Sequence, residues 1–304
     1  MDAVRRRIGA SAAYQQGLYG QQIAIVVLDS GIFLHRDFTD GENKIRYFRD
    51  FVNNRSSPYD NNGHGTHIAG IIAGSGAASG GRYMGVAPLA QLIVLKVLDE
   101  KGNGSVDNVC RGIEWAVQNR KRFQIRIMNI SVGASVKDRL KESRMLVDAV
   151  EYAWDYGMIV VAAAGNNGPG AMSITAPGTS RKVITVGAAP EHLSDKQPQI
   201  SCSFSGRGPT EDCVCKPDIV APGFRIRSCG YRPEEVYTVR SGTSMAAPVV
   251  AGGIALLLNK YPDMTNKDVK MCLRRSACSM NMPRTYQGWG MFSIPECLDG
   301  RCRR

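Results

Sequence analysis

The sequence predicts an α/β fold of three layers, doubly wound, with a mostly parallel central sheet and helices on both faces. Two observations carry this prediction. Short, almost continuously apolar runs recur along the chain, which suits parallel strands covered on both sides. Amphipathic stretches of helical period separate them, and that alternation makes βαβ units with right-handed crossovers. Capacity agrees: a chain of 304 residues buries roughly three quarters of its unfolded surface, enough for a core without staples. With 43% hydrophobic and 21% charged residues, disorder is excluded.

The elements follow in order. Residues 23–28 (IAIVVL), 92–98 (LIVLKVL), 125–132 (IRIMNISV), 158–164 (MIVVAAA) and 183–186 (VITV) are expected as buried strands. The stretch 106–123 aligns Val109, Ile113, Ala116 and Val117 on one helical stripe, and 138–156 aligns Leu140, Val147, Val150 and Trp154. Further helices are expected from His64 to Ala73 and from Ser244 to Leu258, the second ending before Pro262. Thr265 with Asp268 three residues on makes a capping-box start for another. No repeat or low-complexity linker divides the chain. The expected organisation is a short extension (1–19), one domain (20–283) and a Cys- and Arg-rich tail (284–304) packed on that domain.

Lys and Arg exceed Asp and Glu by 38 − 27 = 11. The basic clusters are short (Arg5-Arg6-Arg7, Arg120-Lys121-Arg122, Arg274-Arg275, Arg303-Arg304) and lack interleaved aromatics. A solvated, dispersed charge is therefore expected and nucleic acid is not expected as the partner, while attraction to acidic substrates stays open. No apolar leader follows the first arginines and no run approaches a membrane span, so no membrane partner and a cytoplasmic location are expected. Oligomerisation is left open. Nine cysteines, an odd number without a leader, are expected to be mostly reduced thiols. Cys202, Cys213, Cys215 and Cys229 lack paired Cys-x-x-Cys knuckles, and no zinc is assigned to them.

Three segments carry chemistry. In IVVLDSGI, Asp29 ends a buried strand, where open α/β sheets build their sites. In NNGHGTHIAG, His64 lies between glycines at a helix start. In SGTSMAAP, Ser244 lies at a helix N-terminus, where backbone N–H groups favour developing negative charge. Each alone has a plain structural explanation: a turn carboxylate, a loop histidine, a capping serine. Together they supply acid, base and nucleophile, the set that acyl transfer needs. The pair His64 and His67 does not make a zinc helix, because the spacing is i+3 and Gly65 replaces the glutamate. His67 is expected to be a packed helix residue and Cys110 a core residue, while His35 and His192 have no partner visible in sequence.

These segments resemble those of the subtilisin-like serine proteases (subtilases), in the order Asp, His, Ser, from about residue 20 to 261, and the layout is closest to intracellular subtilisins and clostridial subtilases. The resemblance implies a serine endopeptidase with Ser244 as nucleophile, His64 as base and Asp29 as its orienter. It implies that Asn166, in AAAGNNG, joins the Ser244 N–H as an oxyanion hole. It implies an extended polypeptide substrate lying between Gly102, Asn103, Gly104 and Ser131, Val132, Gly133. Ser131–Gly133 with Ala163, Ala164 and Gly165 would wall a roomy apolar pocket with Thr175 near its base, and Val106 and Val132 would line a second. Ala176-Pro177 resembles a position with a cis peptide. Two alternatives remain: a dedicated processor of one precursor, as in spore germination, and a catalytically silent binding protein of the same fold.

The sequence departs from secreted members in two ways. About twenty residues precede the first strand, so no long pro-region is expected within them. By analogy residues 1–10 would cover the cleft before activation, against the simpler expectation of a docked terminus. The loop 74–83 lacks the carboxylates and Asn of a tight calcium site, although Asp37 resembles a calcium carboxylate. No cofactor is expected to be required. A weak calcium or sodium site near 178–183 and Asp218 is left open, and no metal is assigned.

Overall fold

The computed structural model describes residues 1–133, 140–190 and 203–299. Seven strands form a sheet in the order β2-β3-β1-β4-β5-β6-β7. They are β1 Ala24–Asp29, β2 Ile45–Asp50, β3 Gln91–Lys96, β4 Ile125–Ile130, β5 Ile159–Ala163, β6 Ile184–Ala189 and β7 Ile219–Pro222. Every adjacent pair is parallel. Strands β1, β5, β6 and β7 are buried along their whole length, which is why their sequences run apolar without alternation. Two further strands, β8 Ile226–Arg232 and β9 Glu235–Arg240, pair as an antiparallel ribbon.

The longer helices are α4 His64–Ala73, α5 Val106–Asn119, α6 Leu140–Asp155, α7 Thr243–Lys260 and α8 Asn266–Ser276. Short turns of helix precede and follow them: α1 Asp2–Arg7, α2 Ser11–Tyr14, α3 Arg36–Thr39, α9 Arg284–Gln287 and α10 Ile294–Leu298. Two glycines show that both faces of the sheet are covered. A methyl on Gly112 of α5 would lie 3.2 Å from Leu28, and one on Gly65 of α4 would lie 3.2 Å from Asp29. Neighbouring strand residues point to opposite faces, so α4 and α5 sit on opposite sides of β1. Helix α7 packs on α4 and on β4 to β7, and α6 packs on α5 and β5. Helix α7 is long and apolar enough to cross a membrane by composition, but most of it is buried inside this packing.

The expected strands and longer helices are present. Four strands were not expected. Edge strand β2 (IRYFRD) alternates in burial and carries three charges. Strand β7 is only four residues long, and β8 and β9 hold arginines and a glutamate. The capping box at Thr265 and Asp268 forms with both of its hydrogen bonds.

The first ten residues do not lie across the cleft. Met1 N donates to Arg227 O (3.1 Å), Arg5 to the carbonyls of Gly81 and Arg82, and Ile8 O accepts from Ile294 N (2.9 Å). Val4 and Ile8 are buried, so apolar docking holds this segment against the loop before Met84 and the tail. The described part of the tail packs in turn under α7, where Phe292 meets Gly253. Cys272 is disulfide-bonded, a departure from the expectation of reduced thiols. Cys110, Cys213, Cys215, Cys229, Cys278 and Cys297 are free, and Cys202 and Cys302 lie outside the described residues, as do His192 and the Arg303-Arg304 cluster.

Candidate active site

The C-terminal ends of β1, β3, β4 and β5 converge at one cleft, the place where a doubly wound sheet leaves a crevice. Asp29 ends β1 and is fully buried. Its Oδ1 accepts from Ser30 N (2.8 Å) and meets His64 Nδ1 at 2.7 Å. A buried carboxylate facing Nδ1 fixes the tautomer with the proton on Nδ1 and leaves Nε2 unprotonated. Burial of the imidazole works against its charge, but the Asp29 carboxylate outweighs it through charge and hydrogen bond. The His64 pKa lies above its ordinary 6.5, with the Arg240 charge opposing the shift.

His64 opens α4, and its placement depends on a residue not singled out from sequence. Gly63, with φ of 89°, turns the chain into the helix. Asp60, nearly buried, collects that turn: Oδ1 accepts from Ser30 Oγ (2.9 Å), Asn62 N (3.0 Å) and Gly63 N (2.8 Å). Its Oδ2 accepts from Thr66 N (3.0 Å) and Thr66 Oγ1 (2.6 Å). Ser30 Oγ accepts from Gly65 N (2.9 Å), so the loop after β1 and the first turn of α4 share one hydrogen-bond network. The spacing DNNGHGT held the signal, an aspartate four residues before the histidine.

Lys96 is the second missed residue, and the single charge in LIVLKVL was its signal. It pairs with Asp29 in the β1–β3 register and its side chain has no exposure. Its ammonium donates to Ser30 O (2.6 Å), Asn61 Oδ1 (2.8 Å) and Leu98 O (2.7 Å). It thus joins the segment after β1, the loop before His64 and the start of the 99–104 segment. Burial lowers its pKa, and the carboxylates of Asp60, Asp50 and Asp29 resist that shift.

Ser244 lies in the first turn of α7, which packs on α4, and its hydrogen-bond partner Ser131 lines the His64 cleft. Its Oγ donates to Ser131 O (3.0 Å), and Ser131 Oγ donates to Ser244 O (3.2 Å). His64 Nε2 has no hydrogen-bond partner among the described residues. Asn166 follows β5. Its Oδ1 accepts from Thr243 N (3.0 Å) and Thr243 Oγ1 (3.1 Å). A backbone N–H can only donate, so the oxygen faces Thr243 and the amide nitrogen faces away. Gly165 N also donates to Thr243 Oγ1 (3.1 Å), tying the end of β5 to the start of α7.

The cleft around His64 has a volume of about 690 Å³, with Gly102, Asn103, Gly104, Ser131, Val132 and Gly133 on its walls. The next pocket differs from expectation. Ala164 is fully enclosed and presents no surface. A methyl on Gly133 would lie 2.8 Å from Thr175 Oγ1, and one on Gly165 would collide with the same side chain. Thr175 therefore stands close to both walls, against Gly133 and Gly165. The Ala176-Pro177 peptide is cis. His67 is buried, meets Ile226 O at 3.0 Å, and burial pushes its pKa to about 3, as a packed residue should.

The residues present do not fit calcium at either place the resemblance suggests. Asp37 accepts from Ala78 N (3.0 Å), Tyr237 OH (3.0 Å) and the Cys229 thiol (3.5 Å). Carbonyls of the 74–83 loop accept from the Arg5 guanidinium. At the second place, Asp218 Oδ2 accepts from Thr185 N (2.8 Å) and Lys216 Nζ (2.6 Å). The Lys270 ammonium takes the carbonyls of Arg181, Lys182 and Val183 at 2.8–3.0 Å and approaches Asp218 Oδ1 (3.6 Å). Calcium needs six to eight free oxygens, and here donors already hold them. His35, Asp37 and Cys229 also cluster, but both His35 nitrogens are engaged, by Asp37 N (3.0 Å) and Val236 O (2.8 Å).

Replacing Lys96 with Met strands two buried carbonyl acceptors, Ser30 O and Leu98 O. Urea denaturation of Lys96→Met should show a loss of about 2 kcal/mol, and an unchanged midpoint would mean that water satisfies those oxygens.

The comparisons agree with this architecture. The description "Subtilase family" matches residues 20–290. Serine protease AprX of Bacillus subtilis (strain 168) is 42% identical over 276 residues, 85% of this chain and 62% of AprX. This chain therefore spans less than two thirds of that relative's length. Subtilisin Savinase of Lederbergia lenta is 37% identical over 280 residues, 92% of either chain. Among solved structures, the S41 psychrophilic protease superimposes with a TM-score of 0.78 at 31% identity, covering 94% of this chain and 97% of that one. With the match extending over residues 20–290 and the sheet shared with these proteins, this chain belongs to the subtilase family.

Proposed function

We propose that the chain is a serine endopeptidase that hydrolyses extended polypeptides through an acyl-enzyme. The observation that carries the reading is the 2.7 Å contact between Asp29 and His64 Nδ1, which leaves Nε2 unprotonated at the cleft that Ser131 and Ser244 border. Rotation about the Ser244 Cα–Cβ bond moves the hydroxyl from Ser131 O towards that nitrogen. Oγ then attacks the scissile carbonyl carbon while its proton passes to Nε2. Negative charge develops on the carbonyl oxygen. The Ser244 N–H, without an intrahelical acceptor in the first turn, and the Asn166 amide nitrogen receive it. Collapse expels the amine, which takes the proton from Nε2, and water releases the acyl group by the reverse sequence.

The substrate's acyl half would pair with Gly102–Gly104 on one side and Ser131–Gly133 on the other, as an added strand. Walls of Ala and Gly with Thr175 beside them favour apolar side chains at the scissile bond. No calcium is required in this reading, because side-chain donors and the ammonium groups of Lys216 and Lys270 already occupy the carboxylate and carbonyl oxygens.

A fluorophosphonate should label Ser244 and not Ser244→Ala, with peptide cleavage lost in the variant and the melting temperature retained. Full cleavage by Ser244→Ala would overturn the assignment. Because the base must be unprotonated and its pKa is raised, kcat/KM should rise with pH through a midpoint above 6.5. A profile flat across that range would remove His64 from the role. A chelator should leave the melting temperature unchanged, and a fall reversed by added calcium would show that a cation binds.

A further inference from the structure

Besides His64, three ionisable side chains line the cleft: Lys101 on the 99–104 segment, Glu142 and Arg240. Glu142, in the first turn of α6, lines the cleft together with Val106, Val132 and Leu146. Arg240 lines it next to His64 and Asn62. Arg240 ends β9, the strand that leads through Ser241 and Gly242 into α7 and Ser244. Its guanidinium donates to Asn62 O (3.2 Å), the carbonyl two residues before His64. Among the described residues no carboxylate lies within ion-pairing distance of it. Its charge reaches His64, where it opposes protonation. A half-buried guanidinium left with one neutral carbonyl keeps most of its donors for another acceptor.

Direction follows from chemistry. The acyl half of the substrate is assigned to Gly102–Gly104 and Ser131–Gly133, and Arg240 belongs to neither segment. The leaving amine takes its proton from His64, so the departing half passes the side of the cleft where Arg240 is bonded to the His64 loop. A carboxylate there would meet a planar donor fork suited to bidentate pairing.

We propose that Arg240 selects acidic side chains in the leaving half of the substrate, so that preferred scissile bonds are followed within two residues by Asp or Glu. This rests on the endopeptidase reading above and names the substrate class for the same site.

The test is a set of internally quenched peptides that share one acyl half and differ only in the two residues after the scissile bond: Ala-Ala, Asp- or Glu-containing, and Lys-containing. The wild type should cleave the acidic peptides with kcat/KM about tenfold above Ala-Ala, as one partly desolvated charge-assisted pair provides. High salt should shrink that ratio. Arg240→Lys should retain part of the preference, Arg240→Gln should abolish it, and Arg240→Glu should turn it towards Lys. A purely structural role for the bond to Asn62 would slow all peptides alike and leave the ratio unchanged, which would overturn the proposal. So would a wild type without acidic preference, a measurement that needs no variant to fold. Cleavage of none of the peptides by a wild type that also resists fluorophosphonate would instead overturn the endopeptidase reading, and the proposal with it.

Discussion

A carboxylate with no access to water lies at the end of a strand buried on both faces, and much of the site is arranged around that charge. Asp29 Oδ1 has Ser30 N and His64 Nδ1, while Oδ2 is buried without a hydrogen-bond partner. An ionised group in such a place is expensive unless charges and dipoles surround it. Here the surroundings are the Lys96 ammonium beside it in register, the imidazole and the hydrogen-bonded loop around Asp60. The cost of the buried charge thus fixes the loop after β1, the first turn of α4 and the start of the 99–104 segment relative to one another. A surface carboxylate would place no such demand on its neighbours, and the imidazole would be free to turn.

The same constraint explains the glycines and alanines around the site. Helices α4 and α7 must approach each other and the strand ends closely enough for both N-termini to reach one cleft. In α4 the Cβ position of Gly65 is taken by the Gly31 carbonyl, and Asp29 lies 3.2 Å away. In α7 the residues after Ser244 are Met, Ala, Ala and Pro, all buried. Small side chains keep the helix against the sheet, and Thr243 ties its start to Asn166 and Gly165. The segments GHGTHIAG and SGTSMAAP therefore read as chemistry in the sequence because their packing requirement and their functional residues coincide.

Legibility followed burial. Strands enclosed on both faces, such as AIVVLD and IVVAA, announce themselves by unbroken apolar character. Strand β2 does not, since one of its faces is wet, and the ribbon β8–β9 does not, since arginines and a glutamate occupy it. The residues that bear the chemistry were visible as types, but their supports were not. Asp60 has the appearance of an ordinary turn aspartate, and only the fold turns both of its oxygens onto backbone and side-chain donors of the His64 loop. The role of Lys96 was hidden in the same way, although a lone charge in a strand is itself a signal. The walls of the neighbouring pocket were only partly legible because sequence cannot tell which way a side chain points: Ala164 faces the interior, while Thr175 lies against Gly133 and Gly165 from another segment.

The basic composition acquires a different meaning once the cations are located. Composition alone suggested dispersed, solvated charge. Lys44, Lys96 and Lys216 are instead buried, and Lys216 and Lys270 hold carbonyl and carboxylate oxygens together. The Arg5 guanidinium does the same for the loop before Met84. Part of the positive excess is thus internal and does the work of crosslinking loops, so net charge overstates what the surface offers to a partner. What remains exposed matters by position rather than by sum. A guanidinium at the rim of a cleft acts on one segment of a bound chain at contact distance, where water screens it least. Total charge, acting from farther away, is damped within about ten ångströms by salt. On the proposed reading, recognition depends on where in the cleft the Arg240 guanidinium sits, a property invisible to composition and fixed by the strand that leads into Ser244.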